Sequence, residues 1–452
     1  MNEATEQPAT AMDAAPAPST KRAMLIVFLV VFIDLLGFGI VLPLIPQVTD
    51  GYLAGRSQTE QGIAIGLLFS LFSLMQFVFS PIWGRLSDRI GRRPILMMSL
   101  IGSVVFYALF AVGCALPHTW GWWAIGVMLA SRIGAGIAGA SVSTATAVIA
   151  DCTTLATRAK GMGLIGAAFG IGFTFGPLIA FGLLTVAPAT DTAEGIDQSV
   201  TWLPGAAASL FSLVALGLAL RLLPETLKKS DRPPEPRSIF DVRRSLEVLR
   251  MPAVGPLILT YFLSIIAFAN YEATLARFTK DVFGFSQKQN FLVFAGVGLV
   301  LVLAQGVFYR RVAGKIAEVK LLLVGLAFML LGLASLTAVA VFSWQLRMIG
   351  VPSTPFEWQF YLASAVAVFG FAFVNPSVSA MISKRADPTR QGEVLGVNQS
   401  FTAIARILGP LNGSLVYAVH ESYAVPFACA VLLLMLIFAL IPTIRRDATS
   451  VP

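Results

Sequence analysis

Four ionisable side chains, Asp34, Arg132, Glu272 and Arg406, stand inside otherwise apolar stretches of the sequence. Asp34 is the most telling, because the run from Met24 to Pro46 holds no other charge. A charge at the centre of a membrane-spanning helix costs about 2.5–3.5 kcal/mol on insertion scales, so it is retained where it has a task. A carboxyl there can load and release a proton. A buried guanidinium must find an acceptor, and for Arg132 the natural candidates are Asp34 and Glu272. Glu272 lies about a turn from Arg277, close enough to pair, so proton or substrate coupling and a structural pair are both open to it. Asn270, Asn398 and Gln399 add polar atoms to the same apolar stretches. Other chemistries find little support. The two histidines, His118 and His420, fall in short polar loops, and Cys114, Cys152 and Cys429 are scattered without metal-ligand spacing. No Ser/His or metal constellation is present, so neither an enzyme nor a resident cofactor is expected.

The elements that must position these groups are membrane helices. Charged residues make up 12% of the chain, against about 25% in soluble domains, and the mean hydropathy is +0.79. About 20 apolar residues cross a bilayer as a helix. Candidate spans fall near 24–46, 62–83, 94–116, 122–149, 161–186 and 202–223, then near 254–279, 290–309, 321–343, 359–383, 395–419 and 424–444. The twelve divide evenly around a polar stretch from Glu225 to Met251. There a proline-rich segment leads into Ile239, Val242, Leu246 and Leu249 at helical spacing, read as a linker and an amphipathic helix on the membrane surface. An ordinary polar loop is the competing reading.

With the N-terminus placed in the cytoplasm, the loops on that side carry Arg85, Arg89, Arg92, Arg93, Arg158, Lys160, Arg310, Arg311, Lys315, Lys320, Lys384, Arg385 and Arg390. The opposite loops keep only Arg56, Lys280, Lys288 and Arg347. This bias places both termini in the cytoplasm, and it explains the net charge of +8 as a topology signal. A nucleic-acid partner is the weaker reading, since the bases are spread over short membrane-edge loops. The implied domains are a disordered tail at 1–22, six-helix bundles at 23–224 and 253–444, a linker at 225–252 and a tail at 445–452.

The halves repeat. Gly134, the SVS at Ser141–Ser143 and Ala150-Asp151 recur as Gly370, the SVS at Ser377–Ser379 and Ala386-Asp387, all at one constant offset. Gly163 and Gly176-Pro177 recur as Gly396 and Gly409-Pro410 at a slightly smaller one. A duplicated six-helix unit is the pattern of transporters with a site between two bundles.

Between the second and third spans the chain reads GRLSDRIGRRPIL, with Gly84, Asp88, Gly91, Arg92 and Arg93. Gly84 and Gly91 allow a tight reversal between helices, and Asp88 can bond a helix N-terminus or a base and so latch one bundle to the other. This loop resembles the signature of the major facilitator superfamily, and the resemblance implies twelve helices in two pseudo-symmetric bundles with this loop as a cytoplasmic gate. The corresponding YRRVAGKIAEVK puts Lys315 roughly where the acid would stand.

Other motifs narrow the resemblance. SRIGAGIAGASVSTATAVIAD, from Ser131, is similar to the arginine-containing motif of proton-coupled drug exporters, which implies that Arg132 assists proton transfer. GIGFTFGPLIAFG, with Gly172, Gly176 and Pro177, resembles the antiporter glycine-proline motif, although Ala180 and Phe181 replace its final glycines. DLLGFGIVLPLIP, from Asp34 to Pro46, looks like the opening helix of tetracycline/proton antiporters, in which the acid is substrate- or proton-linked. Asn398, Gln399 and Arg406 resemble the polar face of the same exporters.

The expectation is therefore an all-α inner (plasma) membrane protein that exports small amphipathic compounds of the tetracycline or multidrug type in exchange for protons. Its partners would be the small-molecule substrate, protons and the bilayer. It would act as a monomer and need no cofactor beyond the proton gradient. A proton symporter or importer of a sugar or organic acid is the alternative, and a non-transporting membrane receptor a second one.

Overall fold

The computed structural model describes residues 18–153, 155–186, 191–192, 195–196, 200–227, 242–387 and 390–446. Most of residues 1–22, most of 445–452, and Ile239 with the proline-rich part of the linker lie outside them.

Apolar chain in a bilayer must satisfy its backbone internally, and helices do so within one segment. The first half comprises α1 (Pro18–Val41), α2 (Leu44–Tyr52), α3 (Gln58–Ile90), α4 (Arg92–Ala115), α5 (Trp122–Gly139), α6 (Val142–Cys152), α7 (Leu155–Val186) and α8 (Leu203–Leu222). After α9 (Val242–Leu249) the second half holds α10 (Gly255–Phe283), α11 (Gln287–Leu303), α12 (Arg310–Val312), α13 (Glu318–Met348), α14 (Glu357–Arg385), α15 (Gln391–Val416) and α16 (Val425–Arg446). Among the described residues, nine helical segments are long and apolar enough to cross a membrane, α5 and α6 counting as one. The shorter apolar stretches of α7 and α16, with the more polar α15, complete twelve spans.

The duplication seen in the sequence is carried into packing. In the first half α1 lies against α7 and α8, and α4 against α5 and α8. In the second, α10 lies against α15 and α16, and α13 against α14 and α16. Gly134 packs on Phe106 of α4, and its counterpart Gly370 packs on Met329 of α13. Gly176 touches Leu36, Gly39 and Ile40 of α1, while Gly409 touches Ile266, Ala269 and Asn270 of α10. The second span of each half opens with a serine capping box, Ser57 with Glu60 and Ser286 with Gln289. The halves meet where α3 lies along α15 and α7 along α11.

Three features depart from uniform spans. Pro43 ends the first helix, and the chain restarts as α2 at the end of the molecule remote from the Arg85–Arg93 loop. The fourth span breaks at Ala140 and Ser141, after Gly134, Gly136 and Gly139, each of which weakens a helix by about 1 kcal/mol relative to alanine. The carbonyls around the break find side-chain donors. Trp83 Nε1 donates to Ile137 at 2.6 Å, Ser99 Oγ to Ala138 at 2.8 Å and Gln76 Nε2 to Gly139 at 3.2 Å. The eighth span passes through a π-helical turn, Ala304–Tyr309, before α12. Gly84 sits inside α3 and faces Ser143, so the reversal between the second and third spans is made at Gly91 alone, at φ 108°.

A Cβ at Gly176 would lie 2.7 Å from the Leu36 carbonyl oxygen and 2.9 Å from the backbone of Gly39. Overpacking of this kind costs about 1–3 kcal/mol, so Gly176→Ala lowers the melting temperature of the detergent-purified protein. Gly182→Ala, where nothing lies within 4 Å, does not lower it.

Candidate functional site

Asp34 is held on α1 with 5% of its surface exposed. Its Oδ1 accepts a hydrogen bond from Ser103 Oγ at 2.8 Å, and its backbone carbonyl accepts one from Tyr107 Oη at 3.1 Å. Both donors stand one turn apart on α4. Oδ2 has no hydrogen-bond partner among the described residues. A side chain at Gly37 would collide with the Tyr107 ring, so that glycine admits the ring beside the acid.

Arg132 is 1% exposed, and its environment differs from the expected ion pair. Its Nε donates to the Leu68 carbonyl at 3.1 Å, and its guanidinium lies 4.4 Å from the ring centre of Phe72 and 5.6 Å from that of Phe38. Neither Asp34 nor Glu272 forms a salt bridge with it among the described residues. The cause is helix packing. A Cβ at Gly136 would lie 2.5 Å from the Phe72 carbonyl oxygen, so α5 rides directly on α3 and Arg132, one turn earlier, meets that helix. A planar, weakly hydrated guanidinium is suited to ring faces and a backbone oxygen.

Glu272 on α10 is half-buried, and the charge acting on it is Arg406 of α15. Arg406 also acts electrostatically on Tyr261. The expected pairing of Glu272 with Arg277 is not made. Arg277 instead lies 3.8 Å from both Asp50 and Asp281. Asn270, expected in the cavity, is fully buried in the second half, where its Nδ2 donates to the Pro426 carbonyl at 3.1 Å. Asn398 is buried, Gln399 exposed and Arg406 half-buried along α15. The matched packing of Gly176 and Gly409 sets Asp34 against Ser264 in the repeat, and places Glu272 about two turns further toward the α2 end.

The glycine-proline motif faces the same acid-bearing helix. Gly39 approaches the Gly172 carbonyl and Pro177, and Gly172 approaches Leu35 and Leu36. Pro177 lies inside α7, where its missing N–H leaves the Phe173 carbonyl without an intrahelical donor.

At the loop end Asp88 pairs with Arg92 Nη1 at 2.5 Å, and Arg92 Nε reaches Asp151 at 3.2 Å. These partners all belong to the first half, so in this conformation Asp88 is engaged within its own bundle. Glu225 completes the arrangement. Its carboxylate accepts from the backbone amides of Arg92 at 2.9 Å and Arg93 at 3.1 Å, at the N-terminus of α4. A Cβ at Gly91 would run into that carboxylate. In the second half Glu318, at the start of α13, pairs with Lys384 near the end of α14.

Ser103, Tyr107, Phe72, Asp151 and Glu225 were missed as site residues by sequence reasoning. A serine and a tyrosine four apart in an apolar helix were a readable sign for the first two. Nothing local marks Glu225 as a cap for a helix that begins 133 residues earlier.

Two repeated six-helix halves with isolated charges held between helices are the architecture of membrane transporters. The chain belongs to the Major Facilitator Superfamily, whose sequence profile matches residues 27–410. It is 31% identical over 447 residues to human major facilitator superfamily domain-containing protein 10, covering 88% of each chain. It is 30% identical over 432 residues to the class C tetracycline resistance protein of Escherichia coli, covering 95% of this chain and 98% of the relative. The crystal structure of the human organic anion transporter MFSD10 superposes with a TM-score of 0.65 at 28% identity, over 94% of this chain and all of that one.

Burial pushes the Glu225 carboxyl up, but the amides of Leu227, Arg92, Arg93 and Thr226 more than offset this and hold it below the ordinary carboxylate range. Such a depressed group stabilises the fold fully above its ordinary pKa of 4.5 and loses that contribution as pH falls below it. Glu225→Gln therefore lowers the melting temperature at pH 7 by the equivalent of about 1 kcal/mol. The gap to the parent protein closes as the solution is acidified below the ordinary carboxylate pKa.

Proposed function

We propose that the protein is a proton-coupled antiporter that exports small amphipathic compounds of the tetracycline or multidrug type. The observation that carries this reading is Asp34, a buried carboxylate with one oxygen bonded to Ser103 and the other unpartnered. The second oxygen is free to take a proton in the middle of a span. Arg132, in the same bundle, brings a fixed positive charge toward the acid and supports release of that proton. Glu272, opposed by Arg406, is the switchable acid of the second half, about two turns from the position that matches Asp34.

The bundles at 23–224 and 253–444, joined through 225–252, rock about a central cavity. Protons from outside neutralise Asp34 and Glu272 and favour outward release of cargo. One charge moving through 100 mV supplies about 2.3 kcal/mol, so one or two protons per cycle concentrate a compound several-fold or more. The basic loops set the termini in the cytoplasm of a cell with a proton-energised plasma membrane, and the monomer holds the complete pathway. Similarity to tetracycline resistance proteins and to multidrug resistance protein 1 of Bacillus subtilis, 28% identical over 403 residues, supports the cargo class.

A second reading has its own support. Arg132 and Arg406 place one cation in each half, and the human structure that resembles this chain is that of an organic anion transporter. Organic anions would then be the cargo.

Proton movement across proteoliposomes on addition of tetracycline, a cationic dye or an organic anion separates these cases. Antiport gives proton flux opposite to the cargo, abolished in Asp34→Asn. Retained proton-driven efflux in that variant would remove Asp34 from the proton path. Flux of both in one direction would make the protein a symporter.

A further inference from the structure

At the α2 end, charges from the two halves converge. Asp50 of α2 lies 3.4 Å from Lys280 Nζ and 3.8 Å from Arg277 Nη2. Gln61 of α3 accepts a hydrogen bond from Arg277 Nη2 at 2.8 Å through Oε1, while its Nε2 donates to the Leu53 carbonyl at 3.2 Å. Asp50 and Gln61 belong to the first half, Arg277 and Lys280 to the second. The Arg277 side chain is 7% exposed and that of Asp50 16%. Directly beneath, α3 and α15 are in close backbone contact. A Cβ at Gly62 would lie 2.5 Å from the Ser414 carbonyl oxygen, one at Gly66 would lie 3.2 Å from Leu411, and Ser70 Oγ donates to the Ile407 carbonyl at 2.7 Å. Further along α3, residues 74–84 pass from buried to half-buried, and Gly396 on α15 and Gly306 in the π turn have nothing within 4 Å of an added Cβ. The halves are thus drawn together at the α2 end and part toward the Arg85–Arg93 loop.

We infer that Asp50 and Gln61, with Arg277 and Lys280, form an ionic gate that closes the α2 end of the transport path. The break at Pro43 serves this gate, because it turns α2 across the mouth and brings Asp50 over α10. Arg277 also has partners that move with it. Asp281 on its own helix lies 3.8 Å away, and the Tyr417 ring of α15 lies 4.9 Å beneath its guanidinium. Tyr417 in turn donates to Asp281 at 3.0 Å. When the halves separate, the cation therefore gives up Asp50 and Gln61 but stays paired within the second half. A gate built so opens without stranding the buried Arg277, and neutralising one side weakens closure specifically.

The test needs no cargo, so its failure is separate from any failure of the drug/proton reading. Ser414→Cys places a thiol beneath the gate at a position whose hydroxyl has no hydrogen-bond partner. Its alkylation by a membrane-impermeant maleimide is followed in lipid nanodiscs by peptide-resolved mass spectrometry, with melting and chromatography confirming the fold. Labelling is expected to be slow in this background and to rise at least tenfold with Asp50→Asn or Arg277→Gln. It should return toward the starting rate with Arg277→Lys, which keeps the charge. An unchanged rate in folded Arg277→Gln would overturn the gate and leave closure to the packing at Gly62 and Gly66. Labelling as fast in folded Arg277→Lys as in Arg277→Gln would also overturn it.

Discussion

The close approach of α1 and α7 at Gly39, Gly172 and Gly176 fixes the geometry on which the other parts depend. In lipid there is no hydrophobic drive to press one apolar helix against another, so small residues and backbone-to-backbone contact carry the association. That contact holds the helix bearing Asp34 in a single register and depth. The repeat re-creates it between α10 and α15 at Gly409 and Gly413, where the backbone of Asn270 sits against the glycines. The acid of the first half and the polar groups of the second thus hang from equivalent joints.

Charge in the interior is sorted by the partner each group can reach. Arg132, with its flat guanidinium, is accommodated between aromatic faces and a carbonyl. Asp34 receives a single hydroxyl donor and so is held in place without its charge being fully compensated. Arg277, at the end of the molecule, is tied to carboxylates of both halves. Burial alone does not distinguish the three. The difference between a charge housed within one half, one left partly uncompensated and one shared between halves lies in the number and origin of its neighbours.

The spans were legible in the sequence because apolar length is a local property, and the repeat was legible because glycine and Ser-Val-Ser spacings survive duplication. The pairing of packed helices followed that repeat into three dimensions. Breaks within spans were less visible. Ala140 and Ser141 interrupt the fourth span only because Trp83, Ser99 and Gln76, on two other helices, supply donors for the freed carbonyls. Charge logic alone sent Arg132 to a carboxylate and Glu272 to Arg277. Both choices were decided instead by which helix face each residue occupies, and that is set by glycines elsewhere. Glu225 shows the same limit, since a cap contributed from 133 residues away leaves no trace in the sequence around it.

The chain that joins the two halves leaves the first one at Glu225, whose carboxylate is held by the backbone amides of Arg92 and Arg93. The tether therefore starts from an anchored point, and a pull along it is delivered to the start of α4 and not only to the end of α8. A connection of this kind carries force between the halves as well as keeping them together.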